Sequence, residues 1–277
     1  MIWVNATNLV NQAPDCHETL RAFAATEFKV VVDAFLNDTA ARADLILPPA
    51  LTLEREDLAG GVLHNFVNYA ARAVEPPGEA RTDHWIVSEL GKRLDPPVLV
   101  PTVEEILRAS LDSPYVDVSL DELRRPGYAP VKRPAIAYAD RRFPHPDGKY
   151  HFPARLHDET PPPPGYPFRL LTLVRREVIH SQILPEDHEP FPTVWVAPDS
   201  VALHGLDLAR DVDLVSPLGR LKVEVKTLPG LYPEAVLCRR GGWLSRSNGF
   251  NQLVADGTTD LGGGTAFYHQ YVRLENG

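Results

Sequence analysis

Apolar residues follow two alternating rhythms along the first hundred positions. MIWVNAT (1–7) and FKVVVDAF (28–35) are apolar runs of strand length, and the second has the doubly buried character of a parallel-sheet strand. Between them, CHETLRAFAAT spaces its apolar residues as an amphipathic helix does. DTAARAD reads as a helical turn with Asp38 or Thr39 near its N-cap, and LILPPA as a short strand stopped by Pro48 and Pro49. RTDHWIVSELGKRLD predicts a helix carrying Trp85, Ile86, Leu90 and Leu94 on one face and ending before Pro96 and Pro97. Strand–helix–strand order at this spacing predicts a parallel sheet with a right-handed crossover.

From about residue 96 to 166 proline becomes dense, culminating in TPPPPGYP, and only VEEILRASL looks helical. This stretch is expected to be an extended surface connection. Beyond it the pattern turns to β. FRLLTLVRR, TVWVAP, EAVLCRR and HQYVRLE read as strands. DVDLVSPLGRLKVEVKTL predicts a hairpin that turns at Pro217–Gly219, with Leu221, Val223 and Val225 alternating with Lys222, Glu224 and Lys226. DSVALHGL is the one short helical piece, closed by Gly205. Several short strands with one small helix predict a closed barrel. The expected divisions are an α/β domain over 1–112, a proline-rich connection over 113–164 and a β-barrel over 165–277.

Composition narrows the functional classes. Of the 277 residues, 44% are apolar and 23% charged, the balance of a soluble globular protein with room for two cores. No run approaches the roughly 18 apolar residues of a membrane span, and the N-terminus has no basic region followed by a long apolar stretch, so a secretory signal is not expected. A net charge of −9 without a basic stripe argues against nucleic acid, though not against a small anionic ligand. The two cysteines, Cys16 and Cys238, cannot form a CxxC site or hold an iron–sulfur cluster. Buried free thiols in a reducing, cytoplasmic compartment are expected.

The residues from Val30 to Asp57, VVVDAFLNDTAARADLILPPALTLERED, resemble the V-x-D-x-F-x-x-x-T-A-x-x-A-D-x-x-L-P signature of molybdopterin oxidoreductases of the dimethyl-sulfoxide-reductase type. VEPPGEARTDHWIVSELGKRL and FPHPDGKYHF are similar to later segments of that family. VAPDSVALHGL, DLVSPLGRLKVEVKTLPGLYPEAV, GGW, NQL and TDLGGGTAFYHQYVRLE resemble its molybdopterin-dinucleotide-binding domain, a double-psi β-barrel. NATNLVNQAPD is similar to a G-x-N-P…P-D loop, with Ala6 where glycine is expected and Leu9 where proline is. The implied fold is a partial Rossmann-like parallel sheet followed by that barrel. The implied ligand is molybdopterin guanine dinucleotide with molybdenum or tungsten, with no iron–sulfur cluster in this chain.

By this resemblance Asn8, Asp33, Thr39 and Asp44 would serve the guanosine end of one dinucleotide. Guanine presents two donors, which a carboxylate can receive, and ribose hydroxyls suit Asp, Asn or Thr oxygens. Asp33 follows an apolar strand, at the carboxyl edge where α/β crevices form. On spacing alone, Asp38 and Thr39 cap a turn and Asp44 is solvated. Arg175, Arg176, His180, Ser181 and Gln182 put two guanidiniums and three neutral donors within eight residues, a set suited to pyrophosphate or a pterin edge. Taken alone, such an arginine pair is a solvated strand end. Asn251 and Asp260 are the barrel's expected further contacts, while Gly262–Gly264 permit either close backbone approach or a flexible turn.

Other patterns carry less. Asp256-Gly257-Thr258 has the wrong order, and no second copy, for an aspartic protease. His145, His151 and His157 have no thiolate or carboxylate patterned with them and are expected at the surface. No GxGxxG, P-loop or G-x-S-x-G occurs. The expectation is therefore the cofactor-binding C-terminal part of a molybdenum or tungsten oxidoreductase. It contributes no catalytic residue or metal ligand of its own, and either pairs with a separate N-terminal chain carrying the metal ligand and, in some branches, an iron–sulfur cluster, or is a truncated, catalytically silent product. The alternative is a non-catalytic cofactor carrier or scaffold. Neither nucleic acid nor direct membrane insertion is expected.

Overall fold

The computed structural model describes residues 1–247 and 249–277. Strand β1 (Ile2–Asn5) leads through the single turn α1 (Leu9–Gln12) into helix α2 (Cys16–Ala25) and strand β2 (Lys29–Val32). The two strands pair in parallel, Ile2 opposite Lys29 and Asn5 opposite Val32. The side chain of Asp15 starts α2 by accepting from the Glu18 N–H at 3.0 Å. A 3-10 turn at Ala40–Arg42 returns the chain to β3 (Leu45–Leu47), giving sheet order β1-β2-β3. Val30, Val31 and Val32 are all buried, as the unbroken apolar run requires of a central strand, and Val4, Phe23, Val31 and Ala40 pack together.

Strands β4 (Asp57–Gly60) and β5 (Phe66–Ala70), helices α3 (Asp83–Lys92), α4 (Val103–Leu111) and α5 (Leu120–Leu123), and strand β6 (Tyr128–Pro130) follow. β4, β5 and β6 form an antiparallel sheet. Leu107, Leu111, Leu120, Leu123 and Ala129 form the core beside it. The proline-rich stretch is thus not wholly an extended connection: a helical turn and a strand from it build this core. The contacts also group the chain differently from the linear boundaries 1–112, 113–164 and 165–277. One compact unit holds Met1–Ile46 with Arg155–Gly277, and the other holds Leu47–Ala154. The second has its own apolar core, which lets it cohere without strong sequence periodicity.

The remaining strands are β7 (Phe168–Leu173), β8 (Thr193–Val196), β9 (Val212–Val215), β10 (Arg220–Thr227), β11 (Ala235–Arg239) and β12 (Gln270–Asn276), with helical turn α6 (Leu244–Ser247) between the last two. They close into a barrel in the order β10-β8-β11-β7-β12-β9. β10 and β8 pair in parallel, as do β11 and β7, and the other pairs are antiparallel. A partial parallel sheet with a closed six-stranded barrel is the architecture the sequence implied. The β9–β10 hairpin turns where expected, with the Ser216 N–H donating to Gly219 O at 2.9 Å. Leu170, Val194, Leu214, Leu221, Val236 and Val272 fill the interior. Among the described residues no helix is long and apolar enough to cross a membrane.

Candidate functional site

The first unit joins the sheet's loops to one rim of the barrel through buried polar groups. Asn11 is the hub. Its Nδ2 donates to Asp38 Oδ2 at 2.9 Å and to Asn8 Oδ1 at 3.1 Å, and its Oδ1 accepts from the Leu244 N–H at 2.9 Å. Its backbone carbonyl accepts from Asn251 Nδ2 at 2.9 Å, and the same amide nitrogen donates to Ala13 O at 2.7 Å. Asp38, 2% exposed, also receives the Ser245 N–H at 3.2 Å. Gln12 Nε2 donates to Ser181 Oγ at 3.0 Å, and Trp243 Nε1 to Ser181 O at 2.8 Å. Buried polar groups cost little when bonded this completely, and a network of this kind fixes one geometry.

The rim itself is basic. Arg175 Nε, Arg240 Nε and His188 Nε2 are buried without a hydrogen-bond partner, as is Asn8 Nδ2. The His188 ring packs on Trp243 at 5.2 Å, and its Nδ1 lies 3.3 Å from Ser247 Oγ. Burial, reinforced by Arg175 and Arg246, holds the His188 imidazole below the usual histidine range, with Asp38 and Asp187 opposing. His180 is depressed by burial and then by Arg240. The Arg240 guanidinium lies 4.6 Å from the Phe267 ring centroid. Gly241 makes the rim possible: it holds φ +107°, and a Cβ there would sit 1.8 Å from His180 O. His180 itself adopts φ +48°.

The sequence-expected residues divide accordingly. Asn8, Thr39, Ser181 and Asn251 come together in this network, all buried. Thr39 is fully buried: its Oγ1 accepts from the Val10 N–H and donates to Asn8 Oδ1, both at 3.0 Å, so it stands behind Asn8. Arg175 and His180 lie half-buried in the loop after β7, where Arg176 and Gln182 are exposed. Asp33 sits at the carboxyl end of β2, its Oδ1 accepting from the Phe35 N–H at 2.9 Å and its Oδ2 from Asn37 Nδ2 at 2.8 Å. A carboxylate with about four lone-pair sites still has acceptor capacity there.

Asp44 does not join Asp33. Its Oδ2 accepts from the Lys29 N–H at 2.7 Å and pairs with Lys29 Nζ at 2.9 Å, at the amino end of β2. Four residues of strand put it about 13 Å from Asp33. The chain must return to that end to lay β3 beside β2. The lysine holds the Asp44 carboxyl below its ordinary range. Asp260 is likewise apart: its carboxylate binds the side chain and backbone N–H of the exposed His157, which lowers its pKa. Both line a cavity of about 1110 Å³ with Arg169, Thr258 and Tyr268.

Asn11, His188, Arg240 and Trp243 escaped the sequence reading. Only GGW and the adjacent Arg239–Arg240 pair marked their neighbourhood. Both thiols are buried, and burial pushes Cys16 up to about 11 and Cys238 to about 12, which makes them inert. Among the described residues no group of three or more His, Cys, Asp or Glu side chains is arranged to hold a metal ion. A molybdopterin dinucleotide tail does fit what is present. Its pyrophosphate and ribose oxygens are acceptors, and of the orphaned buried atoms at this rim those on Asn8, Arg175 and Arg240 are donors, while His188 Nε2 is one in the tautomer that protonates it.

Residues 1–93 match the molybdopterin oxidoreductase family model. A probable oxidoreductase of Bacillus subtilis, YyaE, is 29% identical over 99% of this chain and 45% of its own length. A putative dimethyl sulfoxide reductase from Halobacterium salinarum, the catalytic chain, is 25% identical over 99% of this chain and 37% of its own. The acetylene hydratase structure from Pelobacter acetylenicus shares the fold, with a TM-score of 0.73 and 18% identity over 99% of this chain and 44% of that one. The chain thus spans less than half the length of these relatives. In its first 93 residues this chain matches the molybdopterin oxidoreductase model, and along nearly its whole length it is similar in sequence to proteins named as oxidoreductases and in fold to acetylene hydratase.

Proposed function

We propose that this chain grips the guanosine and pyrophosphate end of a molybdopterin guanine dinucleotide, as the cofactor-binding C-terminal part of a molybdenum or tungsten oxidoreductase. One observation carries the reading. Four buried polar nitrogens without partners, on Asn8, Arg175, His188 and Arg240, belong to one unit of a chain whose net charge is −9. Leaving a buried donor unbonded costs on the order of 1–3 kcal/mol, and a ligand that supplies acceptors would relieve that cost in this unit. Arg175 and Arg240 offer charge-assisted hydrogen bonds to phosphate oxygens. His188, kept neutral in the free protein, offers a donor or an acceptor according to tautomer. Asp33 keeps acceptor capacity for the two donors of guanine. Trp243 and Gly241 hold the loop carrying Ser181 and His180 in place.

The bound group would supply two-electron chemistry at its metal. This chain's residues would bind its tail, fix its orientation and exclude water from the phosphates. The metal's protein ligand, and any iron–sulfur cluster, would come from outside these 277 residues, on the longer polypeptide its relatives' length suggests or on a separate chain. Titration with GDP, followed by calorimetry and Trp243 fluorescence, tests the reading. Saturable binding that is weakened by Arg175→Ala and by added salt supports it. No binding, or binding indifferent to Arg175, rejects it. Metal analysis after native purification separates the roles: stoichiometric molybdenum or tungsten favours the oxidoreductase part, and pterin without metal favours a carrier.

A further inference from the structure

Asn8 occupies the N-cap of α1, where an asparagine side chain ordinarily accepts from a backbone N–H of the first turn, yet it makes no such bond. Its orientation is dictated from elsewhere. The order of bonds begins at a group that can only donate, the Leu244 backbone N–H, which fixes Asn11 Oδ1 toward it at 2.9 Å. Asn11 Nδ2 must then face the other way, where it meets the Asp38 carboxylate at 2.9 Å and Asn8 Oδ1 at 3.1 Å. A carboxylate only accepts, so Asp38 fixes the same orientation independently. Turning the Asn8 amide over would set two NH2 groups against each other. A second pin is Thr39: its hydroxyl oxygen already accepts from the Val10 N–H, and its proton goes to Asn8 Oδ1 at 3.0 Å. With its oxygen held twice, Asn8 has one direction left for its NH2 group, and Nδ2 ends buried and unpartnered, on a residue only 6% exposed.

We infer that Asn11 and Asp38 are positioning residues that act as a polarity relay, setting the Asn8 amide so that its NH2 donates to an acceptor oxygen or ring nitrogen of the bound nucleotide. The inference rests on the proposed function for the identity of that ligand. It gives Asn8 a definite chemical role, as a donor specifying an acceptor, and removes Thr39 from direct contact. It also couples two distant segments, because the relay starts on the barrel rim, 233 residues from Asn11. A rim displaced by one hydrogen bond would release the amide to rotate, and the donor would lose its preorganisation.

The test exchanges the two residues of the relay. The double variant Asn11→Asp/Asp38→Asn keeps net charge, atom count and a hydrogen bond between the two positions, but turns an oxygen toward Asn8, whose NH2 must then swing inward. We expect its GDP affinity to fall by at least about tenfold, and its thermal midpoint without ligand to fall as well, because the Ser245 N–H loses its acceptor on Asp38. If the exchange fails to fold, Asn8→Asp serves: Oδ1 keeps the bonds from Asn11 and Thr39 while the donor becomes a charged acceptor, and comparing low with high salt separates the lost donation from charge repulsion. In the 15N-labelled unaltered chain, the Asn8 side-chain NH2 signals should shift on GDP saturation while those of Asn11, already engaged, stay in place. A scaffolding role alone would move neither pair. Equal GDP affinity in the unaltered chain and the variants, or an unmoved Asn8 signal, overturns the relay alone. No GDP binding by the unaltered chain overturns the functional reading, and the ligand role of Asn8 with it.

Discussion

At the scale of single residues, backbone conformation explains positions that side-chain chemistry does not. Ala6 adopts φ +51°, the left-handed region, at the place where the family pattern has glycine. The loop before Asn8 therefore keeps the geometry that glycine would favour, at a cost of roughly 1–2 kcal/mol. Gly241 and Gly205 both hold positive φ, but only Gly241 faces backbone, so their alanine variants should separate strain from collision. Gly205→Ala should cost about 1 kcal/mol, whereas Gly241→Ala, with its Cβ driven into His180 O, should cost about 3 kcal/mol or more. Urea midpoints measure both. His180 and His188 make a pH prediction. Their folded-state pKa values lie below the ordinary one, so the unfolded chain takes up these protons first. Their contribution is fully present above about pH 6.5 and is lost as pH falls from there toward the depressed folded values. The thermal midpoint should therefore drop between pH 7 and 5.5, and less so in His188→Gln; an equal drop in both would remove His188 as a cause.

At the scale of elements, legibility followed period and length. The alternation in β10 was readable because Leu221 and Val223 are buried while Lys222 and Glu224 are not, and the solid apolar run of β2 was readable because that strand is covered on both faces. β6 and α5, of three and four residues, are too short to show a period and owe their form to the core that Leu120, Leu123 and Ala129 complete. Helix α4 joins the same core and has a local start signal. Thr102 Oγ1 accepts from the Glu105 N–H at 3.3 Å while Glu105 Oε2 accepts from the Thr102 N–H at 2.7 Å. Thr102→Ala should lower stability by about 1 kcal/mol, seen as a shifted urea midpoint, and should leave GDP affinity unchanged because the site belongs to the other unit. The site was legible only in part for a related reason. Asn8 and Ser181 have side chains whose types suggest a ligand, but the partners that orient Asn11 and Asp38 are the backbone N–H groups of Leu244 and Ser245. Every residue but proline has such a group, so no sequence pattern announces it.

At the scale of the whole molecule, the division into two units has a measurable consequence for ligand binding. A ligand that binds only the folded state stabilises it by about 2.7 kcal/mol at a hundred times its Kd, and hydrogen exchange reports where openings are suppressed. The network linking Asn8, Asn11 and Asp38 to Leu244, Ser245 and Asn251 lies wholly in the unit made of Met1–Ile46 and Arg155–Gly277. Opening it breaks bonds on the sheet loops and the barrel rim together, so both should gain protection as one set when GDP binds. We expect slowed exchange in residues 8–12, 37–40 and 243–247, and little change in 103–130, which build the core of the other unit. The two protected sets come from opposite ends of the sequence, so a ligand held by the barrel rim alone would protect 243–247 and leave 8–12 as before. That pattern would reject the joint site even if GDP bound tightly, because it would mean that the buried amides of the first loop serve packing and never meet the nucleotide.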